Sequence, residues 1–174
     1  MIMKYKEITP DTNKSCFIAP SADIIGDVTL GKDSSIWFGV VIRGDVHSIK
    51  IGDRTNVQDL SMIHVTHYKL PDKSDGHKTI LEDDVTIAHK VMLHGCTIKK
   101  ACLIGMNTTI LDGAVIGEES IVGANSLVTK NKVFPARSLI LGNPAKVVRS
   151  LSDEEVAELY QSASRYVEFA KSYD

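Results

Sequence analysis

Three cysteines are all this chain of 174 residues has, and Cys16, Cys96 and Cys102 form no C-x-x-C pair. An odd number of scattered thiols argues against a disulfide framework and suits a reducing compartment such as the cytoplasm. The first ten residues carry Lys4, Lys6 and Glu7 and have no apolar h-region, so no signal peptide is expected. The longest apolar run, residues 36–42, is far too short to span a bilayer. Excess charge is also lacking: the formal net charge is −2, which gives no bulk attraction to nucleic acid or to a membrane. A 43% hydrophobic content and this length point instead to one folded domain with a terminal appendage.

What is present is a six-residue rhythm. Leu81, Ile87 and Leu93 stand six apart, and after one five-residue step Ile98, Ile104, Ile110, Ile116, Val122 and Val128 continue it. Earlier, Ile18, Ile24, Leu30, Ile36 and Ile42 keep the spacing; after three extra residues it resumes at Ile51, Val57 and Ile63. Phe134 and Ile140 follow more loosely. A period of six fits neither an amphipathic helix nor an alternating strand, but it fits an all-β solenoid whose flat sides are one hexad long. Residues 1–17 read as a lead-in. Pro71, Asp72, Ser74, Asp75 and Gly76 mark residues 67–78 as a loop.

The fifth place of each hexad is small or β-branched, as in Ala22, Val46, Thr97, Cys102 and Ser120. A narrow interior requires that, and Cys102 reads there as a small buried hydrophobe. Glycine often follows the aliphatic residue, as at Gly31, Gly52, Gly105, Gly117 and Gly123, where a sharp corner with positive φ is expected. These features resemble the left-handed parallel β-helix of hexapeptide-repeat proteins. The left hand rests on that resemblance, since crossovers in ordinary sheets are right-handed. The solenoid is assigned to residues 1–150, and Gly142-Asn143-Pro144 reads as the turn that leaves it. Residues 151–174 are assigned to a C-terminal α-helix, over about 152–172. Ser152 and Glu155 form its capping box, and Val156, Leu159, Tyr160, Ala163, Val167 and Ala170 its apolar stripe.

Three hexads make one triangular coil, with coils about 4.8 Å apart. If residues 67–78 are an insertion in one corner, then Ile42, Ile63 and Leu93 each begin a third side. The places just after them stack Arg43, His64 and His94 in one column, bounded by Ile25 and Leu111. Two places after the aliphatic residue on second sides come Phe38, Asp59, His89 and Met106. His89 therefore lies on another side from the two stacked histidines, and a neighbouring subunit in a threefold ring would bring it to them. Three histidines are one way to build a zinc site with an open position. Scattered histidines are more often plain polar surface. An aliphatic wall gains nothing obvious from two stacked imidazoles, and spacing alone leaves both explanations open.

Arg43-Gly44-Asp45, Asn56-Val57-Gln58-Asp59, His64, and His89 followed five residues later by His94 resemble the γ-class carbonic anhydrase family over residues 10–150. The resemblance implies a homotrimer in which zinc is held by His64 and His94 of one chain and His89 of the next. It implies attack of zinc hydroxide on CO2 to give bicarbonate, with Gln58 orienting the nucleophile, Asn56 supporting Gln58, and Arg43, Asp45 and Asp59 forming an ion-pair network across the interface. Iron or cobalt in place of zinc stays open. Two places depart from the family: Val46 stands where active members carry a proton-relaying glutamate, and His67 stands at a second acidic position. Tyr160 would line a neighbour's site or pack on the solenoid. The alternatives are an acyltransferase or thioesterase acting on coenzyme A esters, which the same solenoid also hosts, and a catalytically weak metal-binding or assembly protein.

Overall fold

Every aliphatic repeat residue from Ile24 to Ile140 points into one continuous core in the computed structural model, which describes residues 1–173. Their neighbours point outward, so a two- or three-residue strand suffices for each side before the chain turns. Parallel pairing then stacks like on like. The first side runs Leu30, Ile51, Leu81, Ile98, Ile116, Phe134. The second runs Ile18, Ile36, Val57, Ile87, Ile104, Val122, Ile140. The third runs Ile24, Ile42, Ile63, Leu93, Ile110, Val128. This is the register that hexad counting gives, including the loop as a corner insertion. The result is a parallel β-solenoid of three walls.

The irregular steps are where the sequence reading needs correction. Three residues are extra between Ile42 and Ile51, as the spacing shows. They bulge within one strand, Val41–Ile51, which runs round a corner: Gly26 pairs with Gly44, but Val28 pairs with Ile49. Ile49 is buried there and Val46 is displaced to a half-buried position against the core. At the five-residue step Cys96 takes the inward place and Thr97 turns outward. The inward small residue is fixed by its distance back from the next aliphatic residue, so counting forward fails wherever a corner changes length. Cys102 is buried as expected.

The corner glycines have a different cause from the one expected. Positive φ falls three residues after the aliphatic residue, at Gly39 and Gly113 but also at Asp33, Arg54, Lys90, Asn107 and Asn125. Gly105, directly after its aliphatic residue, is not in that region; a Cβ there would lie 2.6 Å from the Ala124 nitrogen of the next coil. Close stacking of coils requires that glycine.

The two ends also differ. The lead-in is itself a coil: Ile2–Met3 pairs with Ile24 and Ile25, and Asp11 bridges to Thr29. At the other end Ser138–Gly142 turns back into Ala145–Ser150, an antiparallel strand that the hexad pattern does not announce. Helix α1, Asp153–Ala170, follows with the expected capping box: the Ser152 amide donates to Glu155 Oε2 at 2.9 Å, and the Glu155 amide donates to Ser152 Oγ at 3.3 Å. Its buried face, Val156, Leu159, Ala163, Val167 and Ala170, lies along the second wall of its own chain. Among the described residues no helix is long and apolar enough to cross a membrane.

Candidate metal centre

His64 and His94 are directly paired on the third wall, and Arg43 lies in the same column one coil below. The rings meet: His64 Nδ1 is 3.2 Å from His94 Nε2. Their far nitrogens are both committed to carboxylates. His64 Nε2 is 3.0 Å from Asp45 Oδ1, and His94 Nδ1 is 2.7 Å from Asp112 Oδ1. An ionised carboxylate only accepts, so each ring donates its N–H there. In the neutral rings this leaves two lone pairs facing one another with no proton between them. Two imidazole nitrogens each 2.0–2.1 Å from a tetrahedral zinc would be about 3.3 Å apart. The observed spacing and the tautomers both suit a shared cation.

Electrostatics favour a neutral His64 and charged carboxylates beside it. Burial lowers the pKa of His64, outweighing its bond to Asp45. Burial works against the Asp45 carboxylate, but hydrogen bonds from His64 and Arg43 hold its pKa below the usual range. Asp112 is also pushed upward by burial. Hydrogen bonds from Thr66, His94 and Lys130 more than offset this and bring it to about 2.

The other expected residues gather on the second wall. Gln58 Nε2 donates to Asn56 Oδ1 at 3.1 Å, and Asn56 Nδ2 donates to Thr86 Oγ1 at 3.1 Å. Both amides are buried where α1 packs nearby. His89 Nδ1 donates to Asp59 Oδ2 at 2.7 Å, which leaves Nε2 as its free nitrogen, on a side chain 46% exposed. Among the described residues no three His, Cys, Asp or Glu side chains of one chain come together as a metal cage. Arg43 and Asp45 pair with each other within the chain, whereas Asp59 joins His89.

Sequence reasoning missed Asp112, Thr66 and Lys130. Asp112 stands two places after Ile110 on a third side, so counting stacks it over Gly95 and does not show that its side chain reaches His94. An aromatic group also went unforeseen. Phe17, Trp37, Tyr166 and Tyr173 interlock at the C-terminal end of α1, and with His89 and Asp59 several of them border a cavity of 400 Å³. Val46 and His67 line a second cavity, of 320 Å³, together with Asp45 and His47. Tyr160 packs on the solenoid and donates to Glu119 Oε1 at 2.9 Å, so within the chain its role is structural.

Comparison with known proteins supports the repeat fold and gives the chain its relatives. Residues 95–130 match the family described as bacterial transferase hexapeptide (six repeats). The chain is 44% identical over 172 residues to gamma carbonic anhydrase 1, mitochondrial, of Arabidopsis thaliana, covering 99% of this chain and 62% of that longer protein. It is 47% identical over 173 residues to a carbonic anhydrase of Geobacillus kaustophilus, covering 99% of this chain and 91% of the relative. A solved structure from Bacillus cereus, described as a putative acetyltransferase, superposes with a TM-score of 0.89 at 45% identity, covering 99% of this chain and 96% of that one.

Proposed function

Because this chain belongs to the γ-class carbonic anhydrase-like family of hexapeptide-repeat proteins, we propose that it is a zinc-dependent carbonic anhydrase that interconverts CO2 and bicarbonate as a homotrimer. The observation that carries the reading is the pair of facing, unprotonated nitrogens, His64 Nδ1 and His94 Nε2, 3.2 Å apart. His89 of a neighbouring copy would complete the set. Its Nε2 is left free by the bond from Nδ1 to Asp59, and among the described residues it forms no metal-holding group with His64 and His94 of its own chain. A bound zinc would supply Lewis acidity, bringing a water close to ionisation near neutral pH so that it can attack CO2. Iron or cobalt would suit the same nitrogen donors.

The protein's own groups do the rest. Asp45 holds the proton of His64 on Nε2, and Asp59 holds that of His89 on Nδ1, so each ring presents its lone pair in a fixed direction. Gln58, braced by Asn56 and through it by Thr86, would orient the attacking water. Arg43 pairs with Asp45 and steadies it. Val46 offers no proton acceptor beside Asp45, so proton export would fall to solvent or to His67 across the adjoining cavity. The free thiols Cys16, Cys96 and Cys102 suit a cytoplasmic setting.

The name carried by the Bacillus cereus structure keeps acyl transfer as the second reading. Transferases of this kind would need one histidine as a general base, and a base gains nothing from a second lone pair aimed at its own. Metal stoichiometry with oligomer mass separates the two. One zinc per chain, a mass of three chains and measurable CO2 hydration are expected, and His89→Ala should lose both metal and hydration. An unchanged His89→Ala protein would remove the shared-site reading.

A further inference from the structure

Asp112 is engaged by the side chains of three other residues, and it sits one coil above the histidine it holds. Oδ1 accepts the Nδ1–H of His94 at 2.7 Å and also the hydroxyl of Thr66. Oδ2 receives the Lys130 ammonium at 3.3 Å. Thr66 belongs to the coil of His64, and Lys130 to the coil above Asp112. One side chain, 11% exposed, therefore brackets four successive coils at the corner beside the paired imidazoles.

The backbone makes room for it. This corner holds the single five-residue step of the repeat, and Gly95 within it has a φ of +58°. A Cβ on Gly95 would lie 2.6 Å from Asp112 Oδ1. A residue with a side chain there would push the carboxylate off His94. The shortened step, the glycine and the carboxylate thus serve one arrangement: the proton of His94 stays on Nδ1 and its Nε2 lone pair stays aimed at His64.

We propose that Asp112, anchored by Thr66 and Lys130, is a positioning residue of the metal centre that fixes the tautomer and direction of His94 and so sets metal affinity. This rests on the zinc reading above. Outer partners of metal-bound histidines are typically worth about 10- to 100-fold in affinity. A carboxylate that merely tied coils together would change stability and leave the imidazole's tautomer alone.

The test uses the full-length chain with 15N-labelled histidine. In metal-free wild type, His94 should show the Nδ1–H tautomer, and Asp112→Ala should shift it toward Nε2–H. Zinc affinity, measured by chelator competition, should fall about 10- to 100-fold in Asp112→Ala. Asp112→Asn, the isostere, should fall less, and it decides the matter if the alanine protein fails to fold. Folded variants that keep both the wild-type tautomer and the wild-type zinc affinity would overturn the assignment alone. A wild type that takes up no zinc would overturn the metal reading and this assignment together.

Discussion

Gly105 lies directly beneath Ala124, with the Gly105 amide donating to Val122 O at 2.7 Å and no space for a methyl group between the coils. The coil above cannot lift away without stretching that hydrogen bond and its neighbours along the wall. Gly105→Ala should therefore cost about 1–3 kcal/mol, the usual range for overpacking. Lys90 offers the contrast. It is exposed, with a φ of +59°, so Lys90→Gly relieves backbone strain and should be neutral or stabilising by up to about 1 kcal/mol. Urea midpoints of the two variants test whether stacking distance or backbone conformation governs the glycines.

The C-terminal helix should be released by acid. Glu155 closes the capping box and pairs with both terminal nitrogens of Arg149 at 2.7 Å. Arg149, then the Ser152 amide, holds its pKa down to about 2. A carboxylate depressed in the folded state binds fewer protons there than in the unfolded chain. Its stabilisation is complete above the unfolded value of about 4.3 and is lost as pH falls through the folded one. The helical signal at 222 nm should decline between about pH 4.3 and about pH 2. Glu155→Gln should start lower at neutral pH and change less across that window. An identical acid profile in the variant would show that the cap does not hold the helix.

Thiol chemistry should separate Cys16 from the other two. Burial pushes Cys96 and Cys102 up to about 12, so neither offers a thiolate at neutral or mildly alkaline pH. Cys16 is half-buried and is also raised, by burial and then by Asp33. With a disulfide reagent at pH 8, Cys16 should react slowly and alone, and all three should react at once in denaturant. Prompt labelling of Cys102 in the native protein would mean that the solenoid opens far more readily than its packing implies.

Much of this was legible because a hexad repeat is close to a coordinate system. Ile63 and Leu93 are neighbours through the register alone, so His64 and His94 could be stacked by counting. Counting failed where length varied. The bulge moved Val46 and buried Ile49, and the short step exchanged Thr97 for Cys96. It was also blind to side chains that reach between coils. Nothing in the spacing says that Asp112 bends down to His94, because that depends on rotamers and on the space left by Gly95. The strand Ala145–Ser150 escaped for another reason: it pairs antiparallel, outside the period that organised everything before it.

Gln58 offers the sharpest division between holding metal and using it. It is nearly fully buried on the second wall, its amide nitrogen bonded to Asn56, while His64 and His94 occupy the third. Removing it takes no nitrogen from the proposed ligand set. Gln58→Ala should therefore keep zinc content and oligomer mass while lowering the turnover of CO2 hydration. Loss of one hydrogen bond to a charged group is worth about 1.5–3 kcal/mol, or roughly 10- to 100-fold in rate. Asn56→Ala leaves Gln58 in place but removes its brace to Thr86, so the same measurement should give a smaller loss. If Gln58→Ala sheds zinc in parallel with activity, its part is to hold the interface together and not to orient the attacking water.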